Sequence, residues 1–140
     1  MVLKNKIKPI LIITVIIFLI QSCEEFYFVD CDSCNKSEPR ECTLEVLLGD
    51  FGLANPYTVS IYKGTVENGI LIHHFETYNS IVELKVKLNA EYSAVATITI
   101  GDKLYKSYDS ARPKVKIDNT SCEYNCYIVL DKTLNLKIKG

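Results

Sequence analysis

IVELKVKL, residues 81–88, decides the fold class of this chain. Val82, Leu84, Val86 and Leu88 alternate with Glu83, Lys85 and Lys87. Successive side chains on a strand point to opposite faces, so this is one half-buried strand with an apolar face and a charged face. The same period of two recurs on either side. YTVSIYK (57–63) puts Tyr57, Val59 and Ile61 together, and EYSAVATITI (91–100) does so for Tyr92, Ala94, Ala96, Ile98 and Ile100. LNLKIK (134–139) turns Leu134, Leu136 and Ile138 inward. TLEVLL (43–48), ILIHHF (70–75), KLYKSY (103–108), KVKI (114–117) and YIVL (127–130) read as further strands. Turn chemistry separates them. Gly101-Asp102 is a two-residue hairpin connection, Asn68-Gly69 closes the GTVENG loop, and Pro56 and Pro113 stand at strand starts, where a missing N–H costs little. No helix-period segment of ten residues occurs after residue 22. The expectation is an all-β domain, a single antiparallel β-sandwich of about seven to nine strands.

The N-terminus follows a different grammar. Lys4, Lys6 and Lys8 precede an uncharged run, Pro9 to Ile20, of twelve residues. Spanning a bilayer takes about 20 apolar residues, so the run reads as the core of an export signal. It leads into Ile20-Gln21-Ser22-Cys23, which resembles a bacterial lipobox: aliphatic at −3, small at −1, cysteine at +1. The resemblance implies cleavage after Ser22 and a diacylglyceryl thioether on Cys23. One acyl chain holds a protein only marginally, whereas two or three hold it firmly. The expected organisation is a lipoprotein signal peptide over 1–22, a lipid-anchored tether over 23–41 and the β-sandwich over 42–140. The mature charge is then 13 − 17 = −4, since removing residues 1–22 takes three lysines and no acid. Without a basic patch, nucleic acid is excluded as the expected partner. Glu24-Glu25 reads either as a signal for outer-face display or as a hydrated tether.

The run from Tyr57 to Asp109 is similar to the transthyretin-like or carboxypeptidase-regulatory-like β-sandwich: TVSIYKG, then ETYNSIVELKVKLNAEYSAVATITIGDKLYKSYD. A closer resemblance is to small Bacteroidetes-type lipoproteins that carry C-x-x-C early in the mature chain and a second close cysteine pair before the last strands. Cys31-Asp-Ser-Cys34 and Cys122-Glu-Tyr-Asn-Cys126 stand at those positions, and Cys42 departs from the pattern. The resemblance implies a fold and an outer-membrane address, and no activity.

Five cysteines remain beyond Cys23: Cys31, Cys34, Cys42, Cys122 and Cys126. Export places them in an oxidising compartment, where structural disulfides are the default, and an odd count leaves one over. Joining Cys31 or Cys34 to Cys122 or Cys126 closes a loop worth roughly 4.6 kcal/mol in chain entropy, against about 2 for the local Cys31–Cys34 loop. Long-range pairing with Cys42 spare is therefore expected. Two rival chemistries compete with this pairing. A redox C-x-x-C needs a stabilised thiolate, but Asp30 and Asp32 flank Cys31 and no helix follows. Zinc could use Cys31, Cys34, Cys122 and Cys126, whose spacing suits four ligands, though oxidation competes and no histidine accompanies the set. The expectation is no metal and no cofactor.

Other motifs carry little. His73 and His74 are strand neighbours that point to opposite faces, one packing and one in water. Gly49-Asp50-Phe51-Gly52 has the letters of a kinase metal motif with none of the surrounding machinery, and reads as a turn. Asp109-Ser110-Ala111 resembles a short O-glycosylation site, or is simply a loop. Tyr62, Tyr105 and Tyr127 would point away from the face of Ile61, Leu104 and Ile128, a candidate binding face. The resulting expectation is a non-enzymatic interaction or structural module of the cell envelope. It would be held to the outer membrane by lipid on Cys23 and would meet a protein or glycan partner. The alternative is a metal- or thiol-dependent protein built on the four cysteines.

Overall fold

The computed structural model describes residues 29–50 and 55–138. The expected signal segment, Cys23 and the acidic pair after it lie outside the described residues, as do residues 51–54, which include Phe51 and Gly52 of the GDFG motif. Nine strands follow one another: β1 (Glu41–Leu47), β2 (Tyr57–Lys63), β3 (Ile70–Thr77), β4 (Ile81–Lys87), β5 (Tyr92–Ile100), β6 (Lys103–Ala111), β7 (Lys114–Asp118), β8 (Cys126–Leu130) and β9 (Thr133–Asn135). They correspond to the nine segments read from period and turn signals, and no α-helix occurs among the described residues.

Two sheets enclose the core, one ordered β4-β1-β9 and the other β3-β2-β5-β6. The first contributes Leu44, Val46, Val86 and Leu134, with Leu48 and Leu136 just past their strands; the second contributes Tyr57, Val59, Ile61, Tyr92, Ala94, Ala96 and Ile98. These are alternate residues along each strand, as facing sheets require. Neighbouring strands run antiparallel except β1 and β9, which are parallel with Val46 opposite Leu134. The turn before β9 brings the chain to the middle of β1. Asp131 takes a left-handed φ of 55°, and Lys132 accepts a hydrogen bond from the Glu45 N–H at 2.9 Å. The chain therefore joins β1 midway and leaves in the same direction. A third sheet, the β7–β8 hairpin, stands beside the sandwich.

Strand β6 corrects one expectation. Tyr105 packs against the core, while Leu104 is 70% exposed, the reverse of the assignment that grouped Leu104 with Ile61. Tyr62 lies on the outer face opposite buried Ile61, and Tyr127 lies in β8, so the three tyrosines share no face. Asp109-Ser110-Ala111 is the end of β6 rather than a loop. There the Asp109 carboxylate accepts hydrogen bonds from the Asn135 N–H at 2.7 Å and the Ser110 N–H at 2.9 Å. It thereby ties the edge of one sheet to β9 of the other.

The β2–β3 loop depends on Gly69. Its N–H donates to the Thr65 carbonyl at 2.7 Å, and a Cβ there would lie 2.8 Å from the Lys63 carbonyl oxygen and closer still to that of Thr65. Gly69→Ala is expected to cost about 1–3 kcal/mol, the usual range for forced overpacking. Gly101 is the contrast: φ is +60° but nothing lies within 4 Å. Gly101→Asn should therefore be close to neutral, because asparagine tolerates the left-handed region. Urea unfolding of both variants checks the difference.

Candidate functional site

The four cysteines that were singled out converge on one corner of the fold. Cys31 is bonded to Cys122, with Cα atoms 5.8 Å apart, and Cys34 to Cys126, with Cα atoms 5.5 Å apart. This is the long-range class of pairing, and Cys42 is the free thiol. Local turn geometry presents Cys31 and Cys34 on one side of the N-terminal segment. Asp30 Oδ1 accepts from the Asp32 N–H at 3.1 Å, and its carbonyl accepts from the Ser33 N–H and hydroxyl, both at 3.2 Å. Asn35 then docks on β8, donating from its N–H to the Tyr127 carbonyl and accepting from the Tyr127 N–H at 2.9 Å. The Tyr124 hydroxyl donates to the Cys31 carbonyl at 2.6 Å, and Lys36 Nζ sits 4.8 Å from the centre of the same ring. Residues 31–36 are thus fastened to the β7–β8 hairpin at four positions, Cys31, Cys34, Asn35 and Lys36.

The partner cysteines are held by the β7–β8 connection. Asp118 pairs with Cys126 in the ladder. Its Oδ1 accepts from the Thr120 and Ser121 N–H groups, both at 2.9 Å, and its Oδ2 from the Ser121 hydroxyl at 2.9 Å. The loop bringing Cys122 into place is therefore folded around one carboxylate. Those donors hold the Asp118 carboxyl down to about 2, below the ordinary aspartate value of about 3.9. A carboxyl with a lowered folded pKa stabilises above the unfolded value and loses that contribution as pH falls through the folded one. The loop should therefore keep its order at pH 5 and loosen progressively below about pH 4. An NMR titration of the carboxyl, read alongside the Thr120 and Ser121 amides, checks this; a midpoint near 4 would contradict it.

The Cys34, Cys122 and Cys126 sulfurs all lie within 4.8 Å of one another, and Cys31 is bonded to Cys122. All four sulfurs thus form one cluster. Bonded as two disulfides, they offer no thiolate to a substrate or a metal. Beside them opens a cleft of about 440 Å³, lined in part by Val29, Asp30, Cys42, Thr43, Ile128 and Lys132. Burial pushes the Cys42 thiol up, against the opposing pull of Lys132, which makes it a poor nucleophile at neutral pH. Lys132 is itself 3.7 Å from Glu45. The cleft was not legible in the sequence because its walls join the N-terminal segment and the start of β1 to β8 and Lys132, far apart in the chain, and the C-x-x-C that contributes Cys34 gives no sign of a concavity.

The remaining candidates do not join this corner. His73 and His74 are both exposed on β3, so the expectation that one packs is corrected. The strand is an edge, with only β2 beside it, and His74 Nδ1 shares a hydrogen bond with the Ser60 hydroxyl at 2.9 Å. No protein-family model, no curated protein and no solved structure matches this chain.

Proposed function

We propose that this chain is a lipid-anchored cell-envelope β-sandwich acting as a non-enzymatic interaction or structural module: an accessory subunit, an adhesin-like component or an inhibitor. It is tethered to the outer membrane through lipid on Cys23 and meets a protein or glycan partner rather than nucleic acid. The observation that carries this reading is the fastening of the segment just after Cys23. Two disulfides, spanning 91 and 92 residues, join it to the last hairpin. Such bonds suit an exported domain in an oxidising compartment. They also suit one whose N-terminus must bear load, because a pull on Cys23 passes through the Cys31–Cys122 bond before it reaches β1.

Intact mass of the natively purified protein, without reductant and before and after alkylation in denaturant, tests this reading. It predicts a mature N-terminus at Cys23 carrying acyl mass, one alkylatable thiol and no bound metal. An unmodified Cys23, or a chain that keeps residues 1–22, would overturn it. The sulfur cluster supports a second reading, a metal- or thiol-dependent envelope protein using Cys31, Cys34, Cys122 and Cys126. It predicts four or five free thiols and one bound zinc in the same experiment.

A further inference from the structure

Strand β3 begins with three consecutive apolar residues that the fold leaves in solvent: Ile70 at 72%, Leu71 at 51% and Ile72 at 37% exposure. Runs of this kind on an edge strand are normally blunted by charge or covered. The ladder explains how they come to be exposed together. A bulge shifts the β2–β3 register between Ile61 and Tyr62, so that Leu71 pairs with Tyr62 on the outer face and Ile70 with Lys63 at the strand's start.

The end of the sandwich on which this run sits is also the end where the chain arrives from its N-terminus. The Arg40 carbonyl accepts from the Leu88 N–H, the Glu91 carbonyl from the Gly64 N–H, and the Pro113 carbonyl from the Asn89 N–H. The start of β1, the β4–β5 turn, the β2–β3 loop and the start of the β7–β8 hairpin are therefore neighbours. Cys23 lies eight residues before Cys31, a reach of at most about 29 Å fully extended. A domain of this size is itself about 35 Å across, from a radius of gyration near 13 Å. Val29 and Asp30, the first described residues of the chain, line the same cleft as Glu41, Cys42 and Thr43 at the start of β1, so a tether shorter than the domain's own diameter favours this end facing the anchor.

We infer that Ile70, Leu71 and Ile72 dip into the bilayer that holds Cys23, making a second, non-covalent contact that fixes the domain's orientation. This rests on the reading of Cys23 as the lipid anchor. Acyl chains and a shallow apolar contact add together, which is how weak membrane signals become stable ones. The surrounding charge permits it. Arg40, Lys63, Lys87, Arg112 and Lys114 are exposed at this end beside Glu38, Glu41, Glu67, Glu91 and Asp131, a balanced set on a mature chain that as a whole carries 13 − 17 = −4. Long cationic side chains can lay their stems on apolar surface and keep their charge among headgroups. The far end also exposes apolar side chains, Tyr78, Ile81 and Leu104, but these belong to the β3–β4 connection with the first residue of β4, and to β6, and form no consecutive run.

The chain contains no tryptophan, so Leu71→Trp and Leu104→Trp each give a single reporter at an exposed position. Each full-length variant would be purified with its native modification. It would then be reconstituted into phosphatidylethanolamine–phosphatidylglycerol vesicles with plain or brominated acyl chains. The Leu71→Trp emission should shift to the blue and lose about half its intensity in brominated vesicles, as expected at a depth of ~5–10 Å. The Leu104→Trp emission should do neither. No quenching at either position, with acyl mass on Cys23 and the protein vesicle-bound, would overturn the docking and leave the anchor standing. A blue shift at Leu71→Trp without quenching would also overturn it, since the run would then be covered by protein, such as a second copy. Absence of acyl mass and of vesicle binding would bring down the anchor and the docking together.

Discussion

Serine at all four of Cys31, Cys34, Cys122 and Cys126 should cost about 7 kcal/mol, while serine at either bonded pair alone should cost only about 2.6. The asymmetry follows from how the two bonds cross. The first bond formed in the unfolded chain closes a loop of about 91 residues, worth about 4.6 kcal/mol. Once it exists, the second closes only a small ring, the four residues from Cys31 to Cys34 and the five from Cys122 to Cys126. Nine residues correspond to about 2.6 kcal/mol. Either bond therefore holds the long loop closed, and the other adds only the smaller increment. A domain of this length has about 6–18 kcal/mol in all, so the fourfold variant loses a large share of the total. Urea unfolding of the two double variants and the fourfold variant, beside the native protein, reads this directly. Double variants that each cost 4–5 kcal/mol and sum to the fourfold loss would show that the bonds act independently, contrary to this geometry.

How far the letters could be read depends on what sets each feature. Where one strand's own alternation decides, as in IVELKVKL or YTVSIYK, the inward residues were legible, because the pleat alone assigns the faces. Where a partner decides, they were not. His73 and His74 belong to a strand with a single neighbour, and no pattern within ILIHHF distinguishes an edge from a centre. The parallel pairing of β9 with β1 was hidden for the same reason, since it depends on where Lys132 meets Glu45 across the fold. The cysteines were more legible, because loop entropy ranks pairing classes without any coordinates. It could not choose between the two long-range connectivities, crossed and nested. That choice rests on local turns, the Asp118 loop placing Cys122 and the Asn35–Tyr127 bridge aligning Cys34 with Cys126.

Leu134→Ala should cost about 3 kcal/mol, within the usual range of 2–5 for a buried leucine, whereas Leu104→Ala should stay within about 0.5 of the native protein. Leu134 is fully buried in a strand of only three residues. Its side chain is therefore much of what holds β9 against β1 and keeps the Asn135 N–H on Asp109. By composition the two sites look alike, a leucine between polar residues in TLN and KLY. They differ because β6 is paired to β5 through a two-residue turn. With Ile100 opposite Lys103, Ile98 falls opposite Tyr105, and residues directly opposite share a face. Ile98 is in the core, so Tyr105 must lean inward and Leu104 outward. The rule needs only the hairpin at Gly101-Asp102 and one inward residue, here Ile98, so it overrides the greater hydrophobicity of leucine. Thermal or urea unfolding of Leu134→Ala, Leu104→Ala and Tyr105→Ala decides the matter. If Leu104→Ala is the costly variant of the β6 pair and Tyr105→Ala the silent one, the β5–β6 register described here is off by one residue.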